Sequence, residues 1–89
     1  MKHVFAPHRI VAVHITDRVR EAPTVQQVLT NNGHLIKTRL GLHEVETDVE
    51  GINGLLLMET VGAEAEVAAM MSQLSAIDGV EVKSMVFEH

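Results

Sequence analysis

The chain predicts an α+β sandwich: a four-stranded antiparallel sheet with both helices packed on one face. Three observations carry this expectation. Four segments of strand length are rich in β-branched and apolar residues. Two others repeat apolar residues at helical spacing. Their order along the chain is β-α-β-β-α-β, and two right-handed crossovers then place both helices over the same sheet face.

Residues 1–8 read as a lead-in that ends just past Pro7, and 9–89 as a single domain. "RIVAVHI", Arg9–Ile15, is the first strand. Side chains alternate along a strand, so Val11, Val13 and Ile15 share one face and Ile10, Ala12 and His14 the other. Both faces are largely apolar, which places the strand centrally. The first helix carries Val25, Val28 and Leu29 and stops at Asn31-Asn32-Gly33. Pro23 is costly deep inside a helix, so its start is expected near Ala22.

"GHLIKTRLGLHEVE" follows as a half-buried strand. Strict alternation puts Ile36, Thr38, Leu40 and Leu42 on one face. It puts Leu35, Lys37, Arg39, Gly41 and His43 on the other, a polar and positively charged outer face. Glu44, Glu46, Asp48 and Glu50 then read as a solvated hairpin arm; a weak divalent-cation site is the competing reading. Ile52–Val61 is a central strand whose run of leucines leaves its two faces unassigned. Gly62 marks a break. The second helix repeats Val67, Met70, Met71, Leu74 and Ile77, with Glu64 and Glu66 in its first turn. Asp78-Gly79 closes it, and Val80–Phe87 is the last strand. The whole is a ferredoxin-like βαββαβ sandwich.

Eighty-nine residues bury a modest core, and oligomerisation is an easy remedy. The absence of cysteine excludes disulfides, thiolate metal sites and cysteine nucleophiles and fits the cytoplasm. A formal charge of −5 and an absence of Trp and Tyr argue against direct nucleic-acid binding. No apolar run approaches the roughly 20 residues that span a bilayer, so no membrane association is expected.

The sheet face without helices is the informative surface. Alternation assigns it Ile10, Ala12, His14, Lys37, Arg39, His43, Glu81, Lys83 and Met85. An apolar patch at its centre predicts a homo-oligomer, dimer or tetramer, built on sheet faces. Lys37 and Arg39 suit an anion or carboxylate clamp; the plainer reading is a solvated strand face. His14 is a metal ligand or, more simply, an interface histidine. Asp17 is a polar loop residue at a plausible ligand position, or an ordinary cap. His3, His8 and His89 read as tail residues, and Met70-Met71 as core packing. There is no phosphate loop, nucleophile elbow, paired-histidine motif or Cys/His cluster.

Several stretches carry a family resemblance: Asp17-Arg18 after the first strand, Val25 to Leu29, Arg39-Leu40-Gly41, and Gly79-Val80 with Val82-Lys83-Ser84. Over about Arg9 to Val86 the chain resembles a family of proposed regulators of the iron-only (FeFe) hydrogenase system. The aromatic-Pro pair usual in that family is replaced here by His43-Glu44. The resemblance implies an ACT-like or nickel-regulator-like effector domain that is oligomeric and senses a small ligand; it does not imply catalysis. Nickel is not carried over, because the cysteine and the close histidine pair are missing. No cofactor is named by the sequence.

The expectation is therefore a cytoplasmic regulatory or accessory domain acting with a small-molecule effector or partner protein. Its ligand-binding residues would be Lys37, Arg39 and His43, with His14 and Asp17 at the margin. The alternatives are an assembly module without a ligand and a small enzyme on the open face.

Overall fold

The computed structural model describes residues 8–16, 18–42 and 54–88. The acidic arm 44–50, His3, His89 and the expected ligand residues Asp17 and His43 lie outside the described residues.

The elements are β1 His8–Ile15, α1 Arg18–Asn31, β2 Ile36–Leu42, β3 Gly54–Thr60, α2 Glu64–Ser75 and β4 Val80–Phe87. The sheet order is β2-β3-β1-β4, and every pairing is antiparallel. This is the expected ferredoxin-like sandwich, with the apolar β1 and β3 in the centre.

The core lies between the sheet and the helices. Val11, Val13, Ile15, Leu56 and Met58 enter it from the sheet; Val25, Leu29, Val67, Met70 and Leu74 enter it from the helices. Leu35, from a single 3₁₀ turn over Gly33–Leu35, closes one end. Burial of each such aliphatic side chain contributes about 1.5–3 kcal/mol. The unassigned faces of β3 resolve cleanly. Leu56 and Met58 face the helices, and Leu55 and Leu57 pair with open-face positions of β1.

Two elements depart from expectation. Helix α1 begins at Arg18, ahead of Ala22, and runs through Pro23. The proline is exposed near the N-terminal end and withholds a single backbone donor, while Glu21 in the first turn is favoured by the helix dipole. Strand β2 begins only at Ile36 and breaks register between Ile36 and Thr38. Lys37 is thus the extra residue of a β-bulge, which shifts alternation by one beyond it.

Gly62 separates β3 from α2 at φ +104, where an L side chain is strained. A Cβ there would lie 2.8 Å from Leu35 Cδ2. The same corner is tied by the Val61 amide, which donates to the Leu35 carbonyl at 2.8 Å. Gly62→Ala is expected to destabilise the fold by about 1–3 kcal/mol. An unchanged thermal midpoint would contradict the described backbone at this turn.

Candidate functional site

The uncovered sheet face is read directly from the strand register. Along its rows, Thr38, Glu59, Ile10 and Met85 line up across the four strands; Leu40, Leu57, Ala12 and Lys83 form the next row. Leu55, His14 and Glu81 follow, and His8 with Phe87 lies at the opposite end. The middle of this array is apolar. Leu40 is 56% exposed, Leu55 37%, Met85 55% and Phe87 53%. Ile10 and Leu57 join them at intermediate exposure.

Polar groups sit at the margins of this patch. His8 Nδ1 lies 2.7 Å from Glu59 Oε2. His14 faces Glu81 across the β1–β4 ladder, and Lys83 Nζ is 3.7 Å from Glu81 Oε2. An apolar centre with a polar rim is the anatomy of a protein interface.

The structure separates the residues that the sequence grouped. His14, Ile10, Ala12, Glu81, Lys83 and Met85 are on the open face, as expected. Arg39 is not. It pairs with the core-facing Met58, and its guanidinium donates to Gln26 Oε1 of α1 at 3.2 Å. The cause is the bulge: one extra residue sends Thr38 and Leu40 to the open face and Arg39 to the helix side. Lys37 is exposed at the bulge itself. Arg39 and His14 therefore lie on opposite faces and do not form one site.

Its place near the terminus misassigned His8 as a tail residue. It is the first residue of β1, held by Glu59, rather than part of a tail. Arg9 Nη2 reaches Glu64 Oε2 at 3.3 Å and links β1 to the first turn of α2. Residues so far apart in the chain carry no local signal, so these pairings were not legible without the strand register. Among the described residues, no cluster of three or more His, Asp or Glu could hold a metal ion. Nor is any described helix long and apolar enough to cross a membrane. A shallow concavity lined by Ala68, Met71, Ser72, Ser75 and Ala76 runs along α2 and carries no charged group.

Comparisons with known proteins agree with this architecture. The uncharacterized protein TM1266 from Thermotoga maritima superposes with a TM-score of 0.76 at 22% identity, covering 91% of this chain and 98% of that one. CPII, a nitrogen regulatory PII-like protein from Thiomonas intermedia K12 bound to ADP, AMP and bicarbonate, gives a TM-score of 0.58. It is 11% identical, covering 94% of this chain and 93% of that one. The C-terminal domain of MgtC from Mycobacterium tuberculosis gives 0.58 at 15% identity over 100% of this chain and 95% of that one. At such identities these likenesses show the fold alone. No curated protein matches the chain. A family model, TM1266-like, matches residues 8–84, from the first residue of β1 into β4. On that span the chain belongs to the TM1266-like family, described as "Iron-only hydrogenase system regulator, putative".

Proposed function

We propose that this protein is a non-catalytic regulatory domain of the cytoplasm. It works as a homo-oligomer joined through the open sheet face and senses a small anion beside β2. The uncovered apolar face carries the reading. Leu40, Leu55, Met85 and Phe87 stand in one field with Ile10 and Leu57, and a second copy of that field is its natural cover. Membership of a regulator family supports a regulatory role over catalysis. The lack of cysteine supports a reducing compartment.

The ligand side of the proposal rests on Arg39 and Lys37. Gln26 orients the Arg39 guanidinium with a neutral amide, which leaves its charge uncancelled by that contact. Lys37 is exposed two residues away on the bulge. A planar fork and a mobile ammonium on one edge suit a phosphate or carboxylate. The fold-mate CPII is described as bound to ADP, AMP and bicarbonate, all anions. His43 follows β2 in the chain and Asp17 follows β1; both stay in the proposed ligand set. His14, on the open face, belongs with the interface. Binding acts on the oligomer or on a partner protein only through contacts that differ between two states.

Native mass spectrometry of the purified protein tests the assembly. An oligomer is expected, and a clean monomer would overturn the reading. Thermal shift with AMP, ADP and bicarbonate tests the ligand class. Arg39→Ala is expected to weaken the anion that stabilises the wild type by roughly 10- to 100-fold, the worth of a charge-assisted hydrogen bond. Equal stabilisation of wild type and variant would remove Arg39 from the site. If none of the three anions stabilises the wild type, the ligand-free assembly module becomes the better account.

A further inference from the structure

The two edges of the sheet are built differently. Strand β2 is guarded: a bulge interrupts its register at Lys37, and Lys37 and Arg39 place two cations along it. Bulges and edge cations are devices that stop a free edge from pairing with another chain. Strand β4 has no bulge, and its one cation is paired with an acid on the same strand. It runs eight residues without a bulge against β1, contains no proline, and its one acid and one base, Glu81 and Lys83, lie 3.7 Å apart. The strand is thus locally neutral in a chain of net charge −5. Its last three residues are exposed and apolar on both faces: Met85 and Phe87 at 55% and 53% on the open side, Val86 at 38% on the helix side. Stacking on the open face would cover Met85 and Phe87 but not Val86.

The backbone phase of β4 can be derived. The Thr16 amide donates to the Gly79 carbonyl at 2.8 Å, just beyond the Ile15–Val80 pair. Hydrogen-bonded pairs alternate in an antiparallel ladder, so Glu81, Lys83, Met85 and Phe87 bond to β1. Val82, Ser84 and Val86 therefore turn their N–H and C=O groups outward, while the Val80 amide donates to the Ile77 carbonyl at 3.1 Å. Among the described residues no strand pairs with these outward groups, because β4 is the last strand of the sheet.

We infer that β4 is a second self-association surface, where two copies pair antiparallel about a two-fold axis and join their sheets into one of eight strands. Centring the axis on Ser84 sets it against the partner's Ser84. Val82 and Val86 then meet the partner's Val86 and Val82, an apolar β-branched pair formed twice. Centring it on Lys83 would oppose two lysines. Centring it on Val82 would pair Glu81 with the partner's Lys83 but leave Val86 and Phe87 beyond the strand overlap. The Ser84 register uses the whole strand and covers Val86. This surface is separate from the open face, so a molecule using both would close as a tetramer of two sheet-face pairs.

Ser84→Cys tests the register in a chain that has no other cysteine. Opposite residues in a hydrogen-bonded pair have Cα atoms about 5.5 Å apart, within disulfide range. Mild oxidation is expected to make the covalent dimer the major species. Ala12→Cys, at the middle of the open face, reports face stacking in parallel. A cross-link at Ala12 but not at Ser84 would overturn the edge proposal and leave the face reading intact; the reverse result would do the opposite. Ser84→Pro gives an independent readout. It deletes an outward donor that the fold does not use, so the far-UV spectrum should hold while the solution mass falls by half. An unchanged mass with an intact fold would overturn the proposal.

Discussion

Leu74→Ala is expected to lower the free energy of unfolding by about 3–4 kcal/mol. Leu74 is fully buried on the last turns of α2, one helical step beyond Met70 and two beyond Val67. These three side chains share one core with Val11 and Val13 of β1 and Met58 of β3, which are equally buried. The strand residues are fixed by the ladder on both sides, so the space vacated by the leucine cannot collapse cheaply. A domain of this length is stable by roughly 4–13 kcal/mol. The loss is therefore a large share of the total and should lower the thermal midpoint by roughly 12–30 °C. Urea unfolding at unchanged slope would measure it. Ala68→Ser, on the exposed side of the same helix, should change stability by less than about 0.5 kcal/mol. A similar small effect at Leu74 would mean that α2 does not rest on the sheet as described.

The sandwich was legible because its signals are local and mutually consistent. The heptad-like run Val67, Met70, Leu74 marks one buried stripe, and alternation along β1 separates Val11 and Val13 from Ala12 and His14. What was not legible depended on events that leave alternation intact in the sequence but not in space. The bulge at Lys37 cannot be seen in "LIKTRLGL", since unbroken alternation offers Ile36, Leu40 and Leu42 to the core and gives no sign of a slip. One residue of slip moved Arg39 from the open face to the helix side and brought Leu40 out to 56% exposure. The charged outer face expected of β2 is thus an apolar one, and the proposed anion site lies on the other side of the sheet. Likewise Pro23 suggested a late helix start, yet a single lost donor near an exposed N-terminal end is tolerated. His8 looked like a tail because its partner Glu59 lies 51 residues away.

These corrections strengthen the central functional argument. With Leu40 on the open face, the apolar field spans all four strands, from β2 through Leu57 and Ile10 to Met85 on β4. The cations are then left at the β2 edge and on the helix side. The proposed assembly and ligand sites thus lie on different surfaces of one small sheet. A ligand can act on the oligomer there without competing with it for space, provided that the two are coupled through β2 itself.

Leu57→Glu is expected to dissociate the face-to-face pair while sparing the fold. Leu57 sits at the middle of the open face, opposite Ala12 on β1 and Leu40 on β2, and is only partly buried within one chain. Inside the monomer the change trades an apolar strand residue for a poorer strand former, a cost of about 1 kcal/mol. Across a two-fold interface it brings two carboxylates into the driest part of the contact. Burying unpaired charge costs several kcal/mol per ion, and each 1.4 kcal/mol is about tenfold in affinity. The association constant should fall by at least about a hundredfold. Sedimentation velocity across a dilution series would then show half the wild-type mass with the far-UV spectrum unchanged. Combined with Ser84→Pro, the variant should run as a monomer, since each substitution removes one of two independent two-folds. Wild-type mass in Leu57→Glu, with the fold intact, would show that the open face is not where copies of this chain meet. The exposed leucines would then need a partner of another kind.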